Sequence, residues 1–291
     1  MSKKILAALG LLALGVSGCG VATGAPPQTG EPALGALPAV TGYAAVQFPL
    51  DAFRTRPDEL LTLGVAHDRA LRNCFARYGI DYPLPERVIT PDFDRPIGVV
   101  SAADAARFGY KSPHTADVAA TDRAKSAEKP MDAVALGVLS GTGKSTVNGV
   151  AVPAGGCAVQ AQKELGNRNP RQENLVIGLA SESYAAAKGD SRVRDAFARW
   201  SRCMSAAGFD YRDPLAANDD PVFGTGEPGP QEIATAKADV ACRTQENVSG
   251  TWAAVITAYQ NRIVTDHHEE LSQYRQNLEA QLAVAARSGG K

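Results

Sequence analysis

The chain has 291 residues, with 30 lysines and arginines against 31 aspartates and glutamates, and a formal net charge of −1 at pH 7. Because the basic residues are scattered and form no block, the composition argues against nucleic-acid binding and against strong attraction to anionic lipid. The length suits one large domain or two small ones, and abundant alanine with few aromatic residues favours helices.

The N-terminus has the parts of an export signal. Lys3 and Lys4 provide a positive region, and an uncharged, largely apolar run of twelve residues follows from Ile5 to Val16. A membrane-spanning helix needs about 20 apolar residues, so this run is a targeting segment and not a permanent anchor. We therefore predict a signal peptide over residues 1–18.

The end of that segment resembles the bacterial lipobox. It reads Val16-Ser17-Gly18-Cys19, an aliphatic residue and two small residues before a cysteine. The resemblance implies cleavage before Cys19 and a diacylglyceryl group on its sulfur, which places the protein on the extracytoplasmic face of the cell membrane. One acyl chain binds a bilayer only marginally, at about 10⁴ M⁻¹, whereas two chains hold a protein stably. The alternative is an ordinary signal peptide that happens to end in cysteine.

Residues 19–42 are rich in small residues and contain Pro26, Pro27, Pro32 and Pro38. They show neither helical nor strand periodicity. Because such composition is typical of linkers, we predict a flexible tether between the lipid and a folded body.

Four more cysteines follow in the chain, at Cys74, Cys157, Cys203 and Cys242. An even number in an exported chain predicts disulfides, and four cysteines allow three connectivities. No pair has Cys-x-x-Cys spacing and no histidine flanks them, which argues against a zinc site. We predict no metal and no other cofactor.

Residues 71–83 and 200–212 share a pattern. Each has a cysteine, a large apolar residue, three further residues, a glycine, an apolar residue and Asp-Tyr. Each also follows a stretch in which apolar residues have helical spacing. A glycine that ends a helix and is followed at once by an apolar residue is typical of the Schellman motif. We therefore predict two helix ends, at Gly79 and Gly208.

The other two cysteines, Cys157 and Cys242, share the pattern Cys-x-x-Gln, and we predict that each stands at the start of a helix. This parallel between two repeats favours bonds within each repeat. Cys74 would then pair with Cys157 and Cys203 with Cys242, closing loops of 83 and 39 residues. The sequence also allows the other two connectivities.

The remaining patterns predict several elements between and after the cysteines. They are a helix from Ser101 to Phe108 ended by Gly109, a helix over 130–139, a hairpin around Asn148-Gly149, a helix over 170–188 that stops at Gly189, a helix capped by Asp190, a loop over 216–230, and a long helix from Thr251 to about Arg287. The last helix has an apolar stripe from Trp252 to Leu278, and we expect it to pack on the protein's own body rather than on another protein.

Together these elements predict a mainly α fold. It is a helical body of two related disulfide-braced repeats, at 43–169 and 170–291, with a long C-terminal helix and little or no sheet.

Two segments approach known chemical motifs without completing them. Gly141–Thr146 looks like the end of a phosphate-binding loop, but valine stands at position 138, where that loop needs glycine. His268 begins a zinc-protease pattern, but serine stands at position 272, where the second histidine is needed. The sequence contains no complete catalytic constellation, and we predict a non-enzymatic protein.

The paired cysteine segments, over much of 55–165 and 185–265, look like those of uncharacterised secreted lipoproteins from actinobacteria. The resemblance implies a helical fold and an envelope location, and it brings no activity with it. The first hypothesis is a protein that binds another envelope protein or a cell-wall polymer. The second is a ligand-binding accessory lipoprotein of a membrane transporter. A hydrolase is the third, for which the sequence offers no nucleophile paired with a base.

Overall fold

The computed structural model describes residues 30–42, 46–82, 87, 97–113, 131–166 and 170–289. By Cα proximity the chain divides into two units, Met1–Glu31 and Pro32–Lys291. The predicted signal peptide, Cys19 and the first part of the predicted tether lie outside the described residues, so they remain predictions.

The described part of the second unit contains ten α-helices and one two-stranded hairpin. In chain order the helices are α1 (Pro57–Ala76), α2 (Ala102–Phe108), α3 (Ala133–Ser140), α4 (Gly156–Glu164), α5 (Pro170–Gly189), α6 (Ser191–Ala206), α7 (Pro214–Asn218), α8 (Pro230–Gln245), α9 (Val248–Asp266) and α10 (His268–Gly289). The strands are β1 (Thr146–Val147) and β2 (Val150–Ala151), and 3-10 turns lie at Pro49–Phe53 and Pro221–Phe223. The predicted mainly α fold with little sheet is confirmed, although part of the predicted loop 216–230 is helical.

Both predicted helix ends have the geometry of a Schellman motif. Gly79 has φ 65° and Gly208 has φ 89°, the left-handed region that glycine enters without steric cost. The amide of Ile80 donates to the carbonyl of Phe75 at 3.3 Å, and the corresponding bond at the second site, from Phe209, is 2.9 Å long. These are the six-to-one bonds that satisfy the last free carbonyls of a helix.

The predicted helix starts and the hairpin are also present. The Ser101 hydroxyl accepts from the amide of Asp104 at 3.2 Å, and the Asp190 carboxylate accepts from the amide of Arg192 at 3.0 Å. Asn148 and Gly149 both have positive φ, 48° and 79°. Such a pair forms the tight turn whose twist matches the two flanking strands.

The disulfides join Cys74 to Cys157 and Cys203 to Cys242, as predicted, with Cα atoms 5.7 Å apart in each. The predicted placement of the second cysteines is right for one bond and wrong for the other. Cys157 is the second residue of α4, whereas Cys242 lies in the last turn of α8. Helix starts are set by capping groups, and Cys-x-x-Gln supplies none.

Side chains from both predicted repeats share the same cores. In one core, Ile97 and Val100 pack with Trp200 and Trp252 of the second half. In another, Leu63 packs with the C-terminal helix, whose contributions are Leu271, Tyr274 and Leu278. The boundary predicted between residues 169 and 170 therefore lies inside one compact unit. The two repeats stay a prediction from the sequence.

The C-terminal region is helical, as predicted, but it is not one straight helix. His267, with φ −109° and ψ 19°, separates α9 from α10. The apolar stripe packs on the body, as expected, and its two parts enter different cores. Trp252 belongs to the first core and Leu271 to the second. A break between the two parts lets each one face its own core.

A buried ion pair docks α10 onto α1. Glu59 is 3 % exposed, and its Oε1 accepts from Arg275 at 2.5 Å. Its other oxygen accepts from the amide of Arg56 at 2.8 Å, which also caps the first turn of α1. Burial alone would raise the pKa of Glu59, but the bonds from Arg275 and Arg56 outweigh it and lower that pKa. One carboxylate thus satisfies a helix start and joins two helices.

The prediction of a flexible tether over 19–42 is wrong for its last eleven residues. Residues 32–42, here called the strap, form neither helix nor strand and pack on the body. Leu34 and Val40 contact the first core, and Arg192 Nη1 donates to the carbonyl of Pro32 at 2.8 Å. Within the strap, positions 32, 34, 38, 40 and 42 are half-buried, whereas position 36 and the odd-numbered positions are exposed. This alternation is typical of an extended segment that lies against a surface.

Gly250 in α9 lets the strap come close. A Cβ at this position would lie 2.0 Å from the carbonyl oxygen of Pro38. We therefore expect Gly250→Ala to lower the free energy of unfolding by about 1–3 kcal/mol, as overpacking does. Alanine normally stabilises a helix interior relative to glycine by about 1 kcal/mol. A loss of stability in Gly250→Ala would therefore indicate that the new Cβ clashes with its surroundings.

The control for this change is Gly178→Ala in α5, where a Cβ would meet nothing within 4 Å. It should stabilise by up to about 1 kcal/mol. Urea unfolding followed by circular dichroism would measure both variants. If Gly250→Ala stabilised the protein as much as Gly178→Ala does, the strap would not pack against α9 in solution.

Candidate functional site

A buried polar cluster surrounds the middle of α8. Asp239 is fully buried and accepts two hydrogen bonds at one oxygen, from Trp200 Nε1 at 2.7 Å and from Arg243 Nε at 2.6 Å. Arg243 is 3 % exposed, and its Nη1 donates to the carbonyl of Ile97 at 2.6 Å. The pair thus neutralises two buried charges and fixes three chain segments at one point.

The segment 97–111 wraps around α8 and completes the cluster. The end of this segment meets Glu232 of α8, which is 1 % exposed. The Glu232 carboxylate accepts from the amide of Tyr110 at 3.0 Å and lies 3.5 Å from Lys111 Nζ. Gly109 has φ 56°, and a Cβ there would lie 2.8 Å from Glu232 Oε1. A glycine is therefore required where this segment crosses the carboxylate.

Two tyrosine hydroxyls belong to the same region. Burial and the neighbouring Asp239 carboxylate raise the pKa of Tyr110. Burial and a hydrogen bond to Asp220, 2.7 Å long, raise the pKa of Tyr211 to about 12. Both hydroxyls therefore stay protonated at neutral pH, so they can donate hydrogen bonds but cannot serve as bases.

A small cleft opens beside this cluster, with Arg243 in its wall. Its volume is about 370 Å³, including the space that is open to solvent. The lining combines apolar and polar side chains from the strap, the start of segment 97–111, the end of α8 and the start of α9: Ala39, Val40, Thr41, Val100, Val240, Arg243, Thr244, Asn247 and Ser249. These nine residues include hydroxyls, an amide and a guanidinium but no carboxylate.

The residues that the sequence singled out lie apart from one another. The Cys74–Cys157 bond belongs to the core between α1, α3 and α4, whereas Cys242 adjoins Arg243. Gly141–Thr146 follows the helix α3 and leads into β1, the reverse of the strand–loop–helix order of a phosphate-binding loop. His267 Nδ1 lies 3.0 Å from Glu270 at the start of α10.

One pattern in the sequence, the spacing of three charged residues, indicates this cluster. Glu232, Asp239 and Arg243 are seven and four residues apart, so they fall on one face of α8. Charged residues at that spacing usually form a solvated face, and only the structure shows that this face is covered. Within the described ranges, no group of three or more His, Cys, Asp or Glu side chains is placed to share a metal ion.

No known family model, curated protein or solved structure matches this chain. Among the described residues, none of the helices is both long and apolar enough to cross a bilayer.

Proposed function

We propose that the protein is a lipoprotein held by lipid on Cys19 at the extracytoplasmic face of the cell membrane, where its helical body binds an envelope component without catalysing a reaction. The observation that carries the proposal is the lipobox-like sequence Val16–Cys19 directly after an uncharged run too short to span a bilayer. The two disulfides of the body support it, because such bonds persist in oxidising compartments.

The strap limits the distance between the lipid and the start of the body. Because the body begins at Pro32, only residues 19–31 separate it from the lipid. Thirteen residues reach at most about 45 Å when fully extended. The start of the body therefore stays within that distance of the membrane, which favours as partner another membrane-bound envelope protein or the inner part of a cell-wall polymer.

The polar cluster supports a binding role over an enzymatic one. Its charged side chains hold chain segments together: Asp239 pairs with Arg243, and Glu232 of α8 pairs with Lys111 at the end of the segment 97–111. These charges stabilise one arrangement of helices. The accessible surface beside them is a cleft lined by apolar side chains, hydroxyls, an amide and the guanidinium of Arg243. The cleft also supports a second candidate, a ligand-binding accessory lipoprotein of a membrane transporter.

Cys19→Ala tests the anchor. Without the thiol, no diacylglyceryl group can be attached, so the protein should be found unprocessed or released into the medium. Membrane and soluble fractions would be compared by immunoblotting, and mass spectrometry would identify the lipid on the N-terminal peptide. Ser17→Ala is the matched control, because it keeps a small residue in the lipobox and should leave processing unchanged.

The proposal would be refuted if Cys19→Ala protein were processed and retained in the membrane like the wild type. The binding role has its own test, in which site-specific photo-crosslinkers on the body are activated in intact cells. A crosslinked envelope protein or cell-wall fragment supports the first candidate, and a crosslinked transporter subunit supports the second.

A further inference from the structure

We propose that the strap is a reversible latch: residues 32–42 leave the body and return to it while the helices stay folded, so the tether has a short and a long form. The exchange is inferred from the way in which the strap is held. Its effect on the distance between the body and a membrane rests in addition on the proposed lipid anchor.

The strap is held by side chains and not by backbone pairing. None of residues 32–42 is fully buried, and Leu34 and Val40 are the aliphatic side chains that contact the first core. Within the described ranges, the carbonyl of Pro32 is the one strap group that forms a hydrogen bond. Segments with few buried contacts and few hydrogen bonds open locally, at a free energy well below that of global unfolding.

The hydrogen bond of the strap can be broken without leaving a charge unpaired. Arg192 donates to the Pro32 carbonyl through Nη1, whereas its Nε and Nη2 donate to Asp190 at 2.8 and 2.7 Å. The Arg192 side chain is 30 % exposed, so water can replace the carbonyl when the strap leaves. Undocking therefore keeps this ion pair intact and avoids the large cost of a buried unpaired group.

The chain that follows the strap is held more firmly, which limits the opening. Leu50 is 1 % exposed, and its amide donates to the buried Oε1 of Gln260 in α9 at 2.9 Å. The amide of Phe48 donates to Asp51 Oδ2 at 2.8 Å at the start of the 3-10 turn. Because the bond to Gln260 ties this turn to α9, we expect the opening to end before residue 48.

Undocking would lengthen the connection between the lipid and the body. With the strap docked, the body begins at Pro32, and residues 19–31 span at most about 45 Å. With the strap free, residues 19–42 form the connection and span at most about 80 Å. The same anchored body would then reach partners at two different distances from the membrane.

Thiol labelling measures the opening. The reporter is Val40→Cys in the full mature chain in non-ionic detergent, treated with a maleimide that carries a bulky polymer. The four body cysteines are bonded, so the reporter and any Cys19 without lipid react, and peptide mapping separates the two. The references are Ala36→Cys, which is exposed in the docked strap, and Val255→Cys, which is fully buried in α9.

We expect Val40→Cys to react more slowly than Ala36→Cys, because the docked strap shields it. It should react at least about tenfold faster than Val255→Cys, because the strap opens without global unfolding. The proposal is overturned if Val40→Cys reacts as slowly as Val255→Cys, since the strap would then open only with the whole body. It is also overturned if Val40→Cys reacts as fast as Ala36→Cys, since the strap would then not be docked.

A second substitution shows whether the reporter reacts from the undocked form. Leu34→Ala removes a contact with the core at a distance of six residues, so it should raise the Val40→Cys rate about fivefold. Leu37→Ala is the matched control, because Leu37 is 49 % exposed, and it should leave that rate unchanged. Neither change should alter the Val255→Cys rate. A Val40→Cys rate that is insensitive to Leu34→Ala would also overturn the proposal.

The change in reach has a separate measurement on vesicles. A donor dye is placed on Ser181→Cys, on the exposed face of α5, and acceptor dyes on the lipid headgroups. Leu34→Ala should lower the energy transfer, and Leu37→Ala should not. If labelling shows the opening but no variant gives any transfer, the lipid anchor is refuted and the latch stands. If transfer occurs and Leu34→Ala leaves it unchanged, undocking does not lengthen the tether.

Discussion

Asp239→Ala should lower the free energy of unfolding by about 3–5 kcal/mol, because it leaves Arg243 buried without its counter-charge. Arg243 is 3 % exposed, and the carbonyl of Ile97, to which it donates, carries no charge that could replace the carboxylate. The indole of Trp200 would lose its acceptor as well. Urea unfolding monitored by tryptophan fluorescence would measure the change, since both tryptophans lie in the affected core.

Glu279→Ala is a matched control for this prediction. Glu279 pairs with Arg275 one helical turn away, as Asp239 pairs with Arg243, but its side chain is 61 % exposed. Exposed pairs contribute about 0–1 kcal/mol, so this variant should unfold close to the wild type. Equal losses in the two variants would contradict the idea that burial makes the Asp239 pair critical.

A double replacement separates the cost of an unpaired charge from the loss of packing. Exchanging a buried ion pair for apolar residues of similar size is often neutral or stabilising. Asp239→Leu combined with Arg243→Met should therefore be less destabilised than Asp239→Ala alone. If the double variant were the less stable of the two, the hydrogen bonds to Trp200 and Ile97 would outweigh the charge.

Removing either disulfide should cost about 4 kcal/mol in the chain-entropy model, because the loops of 83 and 39 residues are both long. The figure is large beside typical net stabilities of about 5–15 kcal/mol. The variants are the paired alanine substitutions at Cys74 and Cys157 and at Cys203 and Cys242. Each pair would be measured by urea unfolding without reductant.

Cys19→Ala is the control here too, because its thiol is not part of either bond. It should leave the stability of the body unchanged while it abolishes lipid attachment. Losses below about 1 kcal/mol for both disulfide variants would show that the unfolded chain is already compact enough to need no crosslink. Dithiothreitol should reproduce the effect in the wild type.

Local patterns allowed the most accurate predictions from sequence. The two helix ends follow from Gly79 and Gly208, because few residues other than glycine enter the left-handed region cheaply. The parallel between the two cysteine segments favoured one of the three disulfide connectivities, and the structure has that one. Each of these features depends on residues close together in the chain, or on a comparison between two short segments.

The errors arose where distant packing decided the outcome. The prolines and small residues of the strap have the composition of a linker, but Leu34 and Val40 pack against the first core. The stripe of the C-terminal helix gave the correct apolar face, but the break at His267 depends on two separate cores. The face of α8 that bears Asp239 and Arg243 has the charge of a solvated helix. The segment 97–111 and Trp200 of α6, both distant in sequence, turn it into an interior.

The strap also determines how the body would respond to a mechanical load. Tension on the chain before Pro32 would act first on the hydrogen bond from Arg192 to the Pro32 carbonyl. It would then have to lift Leu34 and Val40 from the core one after another before it reached α1. Contacts that open in succession yield at lower force than contacts loaded together, so the strap would detach while the disulfide-braced helices stayed folded.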